Sequence, residues 1–142
     1  MRWLSVVGAF RTGIAVCFVL VALVWFGAAG ASAAGCGGSG APAPNKSGNN
    51  VLNAVAATSA CNAWAVGYYK NGSGVPQTLV ERWDGSAWKV QKNANPGGST
   101  HLNELYGVAA VSSSDVWAVG QYSNGTLGRT LVERWNGTAW NG

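Results

Sequence analysis

The sequence predicts an all-β repeat protein carried behind an N-terminal export segment. Three observations point to it. A block of about 50 residues occurs twice, which is the period of a stacked or circular repeat architecture. Each block divides into four short runs of β-type residues bounded by Gly, Asn, Asp and Ser. After the apolar N-terminal stretch the apolar residues show no helical spacing. The chain has 142 residues, net charge +4 and 48% hydrophobic residues, room for about one domain. The charge and the hydrophobicity are both inflated by the N-terminus. Without Arg2 and Arg11, seven basic residues face five acidic ones. The basic residues are scattered rather than gathered into a stripe, so nucleic acid is not an expected partner.

Residues 1–35 read as a signal peptide or lipoprotein signal. Arg2 and Arg11 precede an uncharged run of 13 residues, Ile14 to Phe26, and a small-residue region follows from Gly27 to Ala34. Ala31-Ser32-Ala33 offers the small side chains that a signal peptidase needs. The alternative is an uncleaved membrane anchor, for which the run is short against the roughly 20 residues of a bilayer span. Both place the rest of the chain outside the cytoplasm, so the expected location is extracytoplasmic, secreted or as a cell-surface lipoprotein. Membrane association is expected only through the signal or a lipid. Ser32-Ala33-Ala34-Gly35-Cys36 is a permissive lipobox, which makes Cys36 the lipidation candidate. Residues 36–50 are a Gly/Ser/Pro/Asn linker suited to a flexible tether. A disulfide between Cys36 and Cys61 is the less expected alternative, because such a tether gives no reason to hold the two sulfurs together.

The first repeat unit covers residues 51–92. Its β-type runs are Leu52 to Ser59, Ala63 to Tyr69, Gln77 to Trp83, and a fourth starting at Ala87-Trp88. A linker, 93–103, leads to the second unit, 104–142, with runs at Leu105 to Ser112, Val116 to Tyr122 and Arg129 to Trp135 and the start of a fourth at Ala139-Trp140. Trp64-Ala-Val-Gly67 returns as Trp117-Ala-Val-Gly120, and Thr78-Leu-Val-Glu-Arg-Trp83 returns as Thr130-Leu-Val-Glu-Arg-Trp135. Alternation puts Leu79, Glu81 and Trp83 on one face of the third strand and Thr78, Val80 and Arg82 on the other. Asp84-Gly85 and Asn136-Gly137 supply the residue pair that a tight hairpin turn calls for.

A four-stranded antiparallel unit of this length fits a β-propeller blade. The fold expected is therefore a partial β-propeller of about one and three-quarter blades, against the four to eight of typical closed propellers. The order Trp-Ala-Val-Gly, turn, Leu-Val-Glu-Arg-Trp-Asp-Gly-Ser-Ala-Trp resembles kelch-type and galactose-oxidase-like propeller repeats. It is more similar still to the Trp-Ala-Val-Gly repeats of exported bacterial propeller proteins. The similarity covers about residues 51 to 142. Gly67-Tyr68 and Gly120-Gln121 stand where kelch repeats carry a double glycine. With the last strand incomplete, the expectation is either a fragment of a longer propeller or a short chain that self-associates.

Candidate chemistry is sparse. His101 is the single histidine, has no paired nucleophile and reads as a solvated loop residue. Glu81-Arg82 and Glu133-Arg134 recur at one position of the unit and read as cross-strand ion pairs on a solvated face. No His/Cys/Asp/Glu cluster has metal spacing, so no metal, cofactor or catalytic residue is expected. Trp64, Trp83, Trp88, Trp117, Trp135 and Trp140 recur with the repeat and read as packing residues between units. An aromatic glycan-binding strip is the alternative. Tyr68, Tyr69, Tyr106 and Tyr122 lie near loops, where binding residues concentrate. Asn45, Asn71, Asn124 and Asn136 start glycosylation-type triplets that turn chemistry explains equally well. The functional expectation is an exported, non-enzymatic scaffold or recognition module for a glycan or surface protein, or for further blades. The alternatives are a fragment of a galactose-oxidase-like enzyme, whose copper ligands are missing here, or a truncated product without independent function.

Overall fold

The computed structural model describes residues 35–36 and 42–142; the expected signal segment, 1–34, and linker residues 37–41 lie outside the described residues. Among the described residues, eight strands form two four-stranded antiparallel sheets. The first contains β1 (Asn50–Ser59), β2 (Asn62–Lys70), β3 (Pro76–Trp83) and β4 (Trp88–Val90) in that order. The second repeats the meander with β5 (Asn103–Ser112), β6 (Asp115–Ser123), β7 (Gly128–Trp135) and β8 (Trp140–Asn141). The first three strands of each sheet cover the corresponding runs read from the sequence, whereas β4 and β8 start at Trp88 and Trp140, one residue later than the runs at Ala87 and Ala139. Those first three extend one or two residues past their runs, because the flanking Asn, Lys, Pro and Gly still complete backbone pairs.

The register is the same in both sheets. Val66 pairs with Val80 and Trp64 with Arg82; Val119 pairs with Val132 and Trp117 with Arg134. Residues paired across neighbouring strands share a face, so each sheet has two chemically distinct sides. One, the tryptophan face, carries Trp64, Val66, Val80 and Arg82 in the first sheet and Trp117, Val119, Val132 and Arg134 in the second. The other, the leucine face, carries Ala65, Leu79, Glu81, Trp83 and Trp88, or Ala118, Leu131, Glu133, Trp135 and Trp140.

The glycine ending each Trp-Ala-Val-Gly has a steric cause. A register shift interrupts β1 between Leu52 and Ala54, and β5 between Leu105 and Gly107. Opposite these bulges, a Cβ on Gly67 would run into the Val51 carbonyl, and one on Gly120 into the Glu104 carbonyl. A side chain there would force the first two strands of the sheet apart.

The core lies between the sheets. The tryptophan face of the first (Trp64, Val66, Val80) packs on the leucine face of the second (Leu105, Val116, Ala118, Leu131, Trp135, Trp140), all 8% exposed or less. Trp64 is the centre, with ring centroids 5.0 Å from Trp135 and 5.3 Å from Trp140. Each such aromatic pair adds about 0.5–1.5 kcal/mol beyond the area it buries. Arg82 lies over both Trp64 and Trp135, at 5.1 and 5.7 Å, a cation shared by two rings across the interface. The sheets therefore stack by unlike faces, head to tail.

The linker is built rather than slack. The Gln91 N–H donates to the Val80 carbonyl. The Thr78 N–H donates to Asn95 Oδ1 and its hydroxyl to the Ala94 carbonyl. The fully buried Asn103 accepts from the Gly97 N–H and donates to the Gly98 and His101 carbonyls. This satisfies every polar atom of the Asn103 side chain at the point where the chain enters β5.

Candidate functional site

Where the expected residues fall decides what is left to act as a site. Trp64, Trp83, Trp135 and Trp140 are buried and Trp88 is half-buried. Trp117, grouped with them by the repeat, is 41% exposed. The reason is positional: Trp64 is covered by the second sheet, whereas among the described residues the same face of the second sheet has no sheet against it. The Trp83 and Trp135 indole N–H groups donate to the Ala60 and Ser113 carbonyls, so the rings are anchored from their own sheets.

The Glu-Arg pairs do not form cross-strand ion pairs on a solvated face. Glu81 and Glu133 are 1% and 0% exposed on the leucine faces, while Arg82 and Arg134 lie on the tryptophan faces. Adjacent residues of a strand point to opposite sides, so these neighbours cannot share a face. Arg134 instead pairs with Asp115 at 2.8 Å and stacks on Trp117. Burial pushes the Glu133 carboxyl up to about 7, opposed in part by the Asn93 side chain and the Ala94 backbone of the linker. Neither of its oxygens has a hydrogen-bond partner of normal geometry. Burial raises Glu81 as well.

Cys36 and Cys61 are joined in a disulfide, with Cα atoms 5.1 Å apart. This corrects the expectation that the tether would leave them separate. The structure presses Cys36 against the Gly85 turn beside Cys61, so the linker is held at the end of the first sheet. The same sulfur cannot also carry a thioether-linked lipid. In the turns, Asp84 and Asn136 each accept from two backbone N–H groups, at residues 86 and 87 and at 138 and 139, while Gly85 and Gly137 take φ of 96° and 98°. Asn71 and Asn124 cap their turns in the same way. His101 is half-buried, with Nδ1 bonded to the Gly97 carbonyl and near the Thr100 hydroxyl. It fastens the linker rather than standing in solvent.

One surface departs from the repeat. Tyr106 sits at the β5 bulge, 47% exposed, where the interrupted register turns its side chain away from the ladder. Its hydroxyl donates to Glu104 Oε2 at 2.5 Å and accepts from Gln121 Nε2. Burial and then Glu104 push the phenol up to about 12, so it stays a donor. Gly120, Gln121, Arg129 and Thr130 line a hollow of about 400 Å3 beside it. The corresponding positions of the first unit hold Val51, Asn53, Tyr68 and Gln77 instead of Glu104, Tyr106, Gln121 and Arg129. There Asn53 is spent on a 2.7 Å bond to the Leu105 carbonyl between the sheets. Tyr106 was among the loop tyrosines singled out from the sequence. Glu104, Gln121 and Arg129 were not, because the repeat was read for its matches; comparing the units for mismatches exposes them.

A larger hollow of about 520 Å3 lies between the linker (Gln91 to Ala94) and Trp135, Thr138 and Trp140. Its two tryptophans already pack on Trp64, which leaves little ring face for a ligand. Among the described residues, no group of three or more His, Cys, Asp and Glu is placed to hold a metal ion. No protein-family model matches the chain, and neither a curated protein nor a solved structure matches it.

Proposed function

We propose that the chain is an exported, non-enzymatic recognition module whose two sheets are blades of a β-propeller, and that its ligand is a hydroxyl-rich surface molecule such as a glycan. The observation that carries this reading is the Glu104–Tyr106–Gln121–Arg129 shelf. The first unit carries no carboxylate or guanidinium at the matching positions, which hold Val51, Asn53, Tyr68 and Gln77. Charged and hydroxyl groups gathered at an irregular, exposed point of a rigid sheet are where binding chemistry belongs. The shelf offers a carboxylate, a locked hydroxyl, an amide and a guanidinium beside a shallow hollow. Those groups suit a neutral polyol. The blade assignment is supported by the head-to-tail stacking of two identical meanders. Export is supported by the Cys36–Cys61 disulfide, a bond that persists in oxidising compartments. That disulfide also favours a freely secreted chain over a lipoprotein.

The test is titration of the exported chain against soluble cell-surface polysaccharides by calorimetry, with Tyr106→Phe and Arg129→Ala as variants. Removing one hydrogen-bonding group from a polar contact costs roughly 1–3 kcal/mol, or about 5- to 150-fold in Kd. Saturable binding weakened to that extent by both substitutions supports the proposal. Binding that neither substitution alters, or no binding by any polysaccharide, defeats it.

A further inference from the structure

We infer that the open tryptophan face of the second sheet docks on the leucine face of the first sheet of a second copy of this chain. The contact would resemble the one between the two sheets within each copy, entered at the exposed edge of that leucine face. The inference rests on the sheet stacking and not on the polar shelf, and it requires no closed ring. On the donor side, Trp117, Val119 and Val132 are 41%, 48% and 48% exposed, whereas their equivalents Trp64, Val66 and Val80 are all fully buried. Arg82 lies over two rings, one from each sheet, while among the described residues Arg134 lies over Trp117 alone. The second sheet thus presents the same knob that the first sheet buries, unused.

On the acceptor side, Leu52, Val55, Ala65 and Trp88, with Ala43 at the rim, line a hollow of about 360 Å3. In the second unit the equivalent residues are Leu105, Val108, Ala118 and Trp140, all part of the core that receives Trp64. Leu52 and Val55 are 45% and 68% exposed. Trp83 and Trp88 stand 5.9 Å apart and tilted by 49°, close to the 6.1 Å and 47° of Trp135 and Trp140. Ala65, Leu79, Glu81 and Trp83 are already buried in the single chain, so the open part of this face is the strip of Leu52 and Val55, and the hollow between it and Trp88 is the point of entry for Trp117. Knob and socket lie on different sheets, so the contact is heterologous and can propagate. A symmetric contact between two tryptophan faces would instead bring two Arg134 guanidiniums together, at a cost in like-charge repulsion.

The experiment is sedimentation equilibrium on the exported chain over a concentration series, with Trp117→Ser to remove the knob and Val55→Arg to block the socket. Both residues are exposed, and unchanged far-ultraviolet circular dichroism and melting confirm that each variant folds. The expected result is concentration-dependent assembly of the wild type, each variant monomeric alone, and a one-to-one dimer when the two are mixed, since each retains the face the other lacks. Assembly of Val55→Arg as strong as wild type would show that tryptophan faces pair symmetrically and overturn the inference. A wild-type chain that remains monomeric up to roughly millimolar concentration would overturn it too, leaving the face to a different partner. None of these outcomes depends on glycan binding.

Discussion

Glu133 and Arg134 are neighbours in sequence that end in opposite environments, one buried against the linker and one in solvent on Asp115. The carboxylate has the larger consequence. Its ordinary value is 4.5, and burial raises it to about 7 in the folded chain. The folded state therefore holds a proton that the unfolded state has released across that interval. The stabilising contribution is complete below about pH 4.5 and is lost as pH rises through 7. The loss amounts to roughly 3 kcal/mol for a shift of this size. Denaturant unfolding at pH 5 and pH 8 should show the chain less stable at pH 8, and Glu133→Gln should flatten most of the difference. Glu81, raised in the same direction, supplies the remaining slope. A wild type with equal stability at both pH values would mean that Glu133 reaches solvent or a cation. The burial of both glutamates was implicit in the alternation that placed Glu81 beside Leu79 and Trp83. What that pattern lacked was knowledge that the leucine face would be covered.

Within a single sheet, the repeated motif is a set of steric instructions. Gly67 and Gly120 face bulges where the neighbouring strand's carbonyl occupies the space a Cβ would need. Gly120→Ala should therefore cost about 1–3 kcal/mol, the usual range for forcing atoms into a packed site. Gly72 and Gly128 have open space around the same position and no left-handed φ. Alanine there should be neutral or stabilising by up to about 1 kcal/mol. Chemical denaturation of the three variants measures the contrast directly; equal effects at Gly120 and Gly128 would remove the steric explanation of the motif. The strands and the positions of the turns were legible because they follow from alternation and from Gly, Asn and Asp placement. The bulges were not, since a one-residue slip in register leaves no mark on composition.

At the scale of the molecule, the two sheets differ most in what covers them. Trp64 and Trp117 occupy one position of the repeat, yet one is the centre of the core and the other is exposed. The disulfide is a second asymmetry: Cys61 corresponds to Ser114, so only the first sheet is tied to the chain before it. The bond spans 25 residues, and closing a loop of that length in the unfolded chain stabilises by about 3 kcal/mol in the chain-entropy model. Cys61→Ser should lower the thermal midpoint and open the linker near Cys36 to proteolysis while the eight strands persist by circular dichroism. Intact-mass measurement of the wild type before and after reduction and alkylation should show two thiols released together. A diacylglycerol on Cys36 in the same spectrum would mean that the disulfide does not form in the exported protein.

The sequence by itself determined the class, the duplication, the order of strands and the residues of the turns. These depend on periodicity, on φ preferences and on alternation, all local properties of the chain. It also marked the tryptophans as packing residues, of which Trp64, Trp83, Trp135 and Trp140 are buried. The tertiary structure alone decided which face of each sheet is covered, which of two equivalent tryptophans is left in solvent, and that Cys36 reaches Cys61. It also decided that Glu104, Tyr106, Gln121 and Arg129 converge at a bulge. Each of these depends on distances between residues far apart in sequence. The residues that the two units share cannot encode different surroundings for each unit, because that difference lies in what is stacked against them.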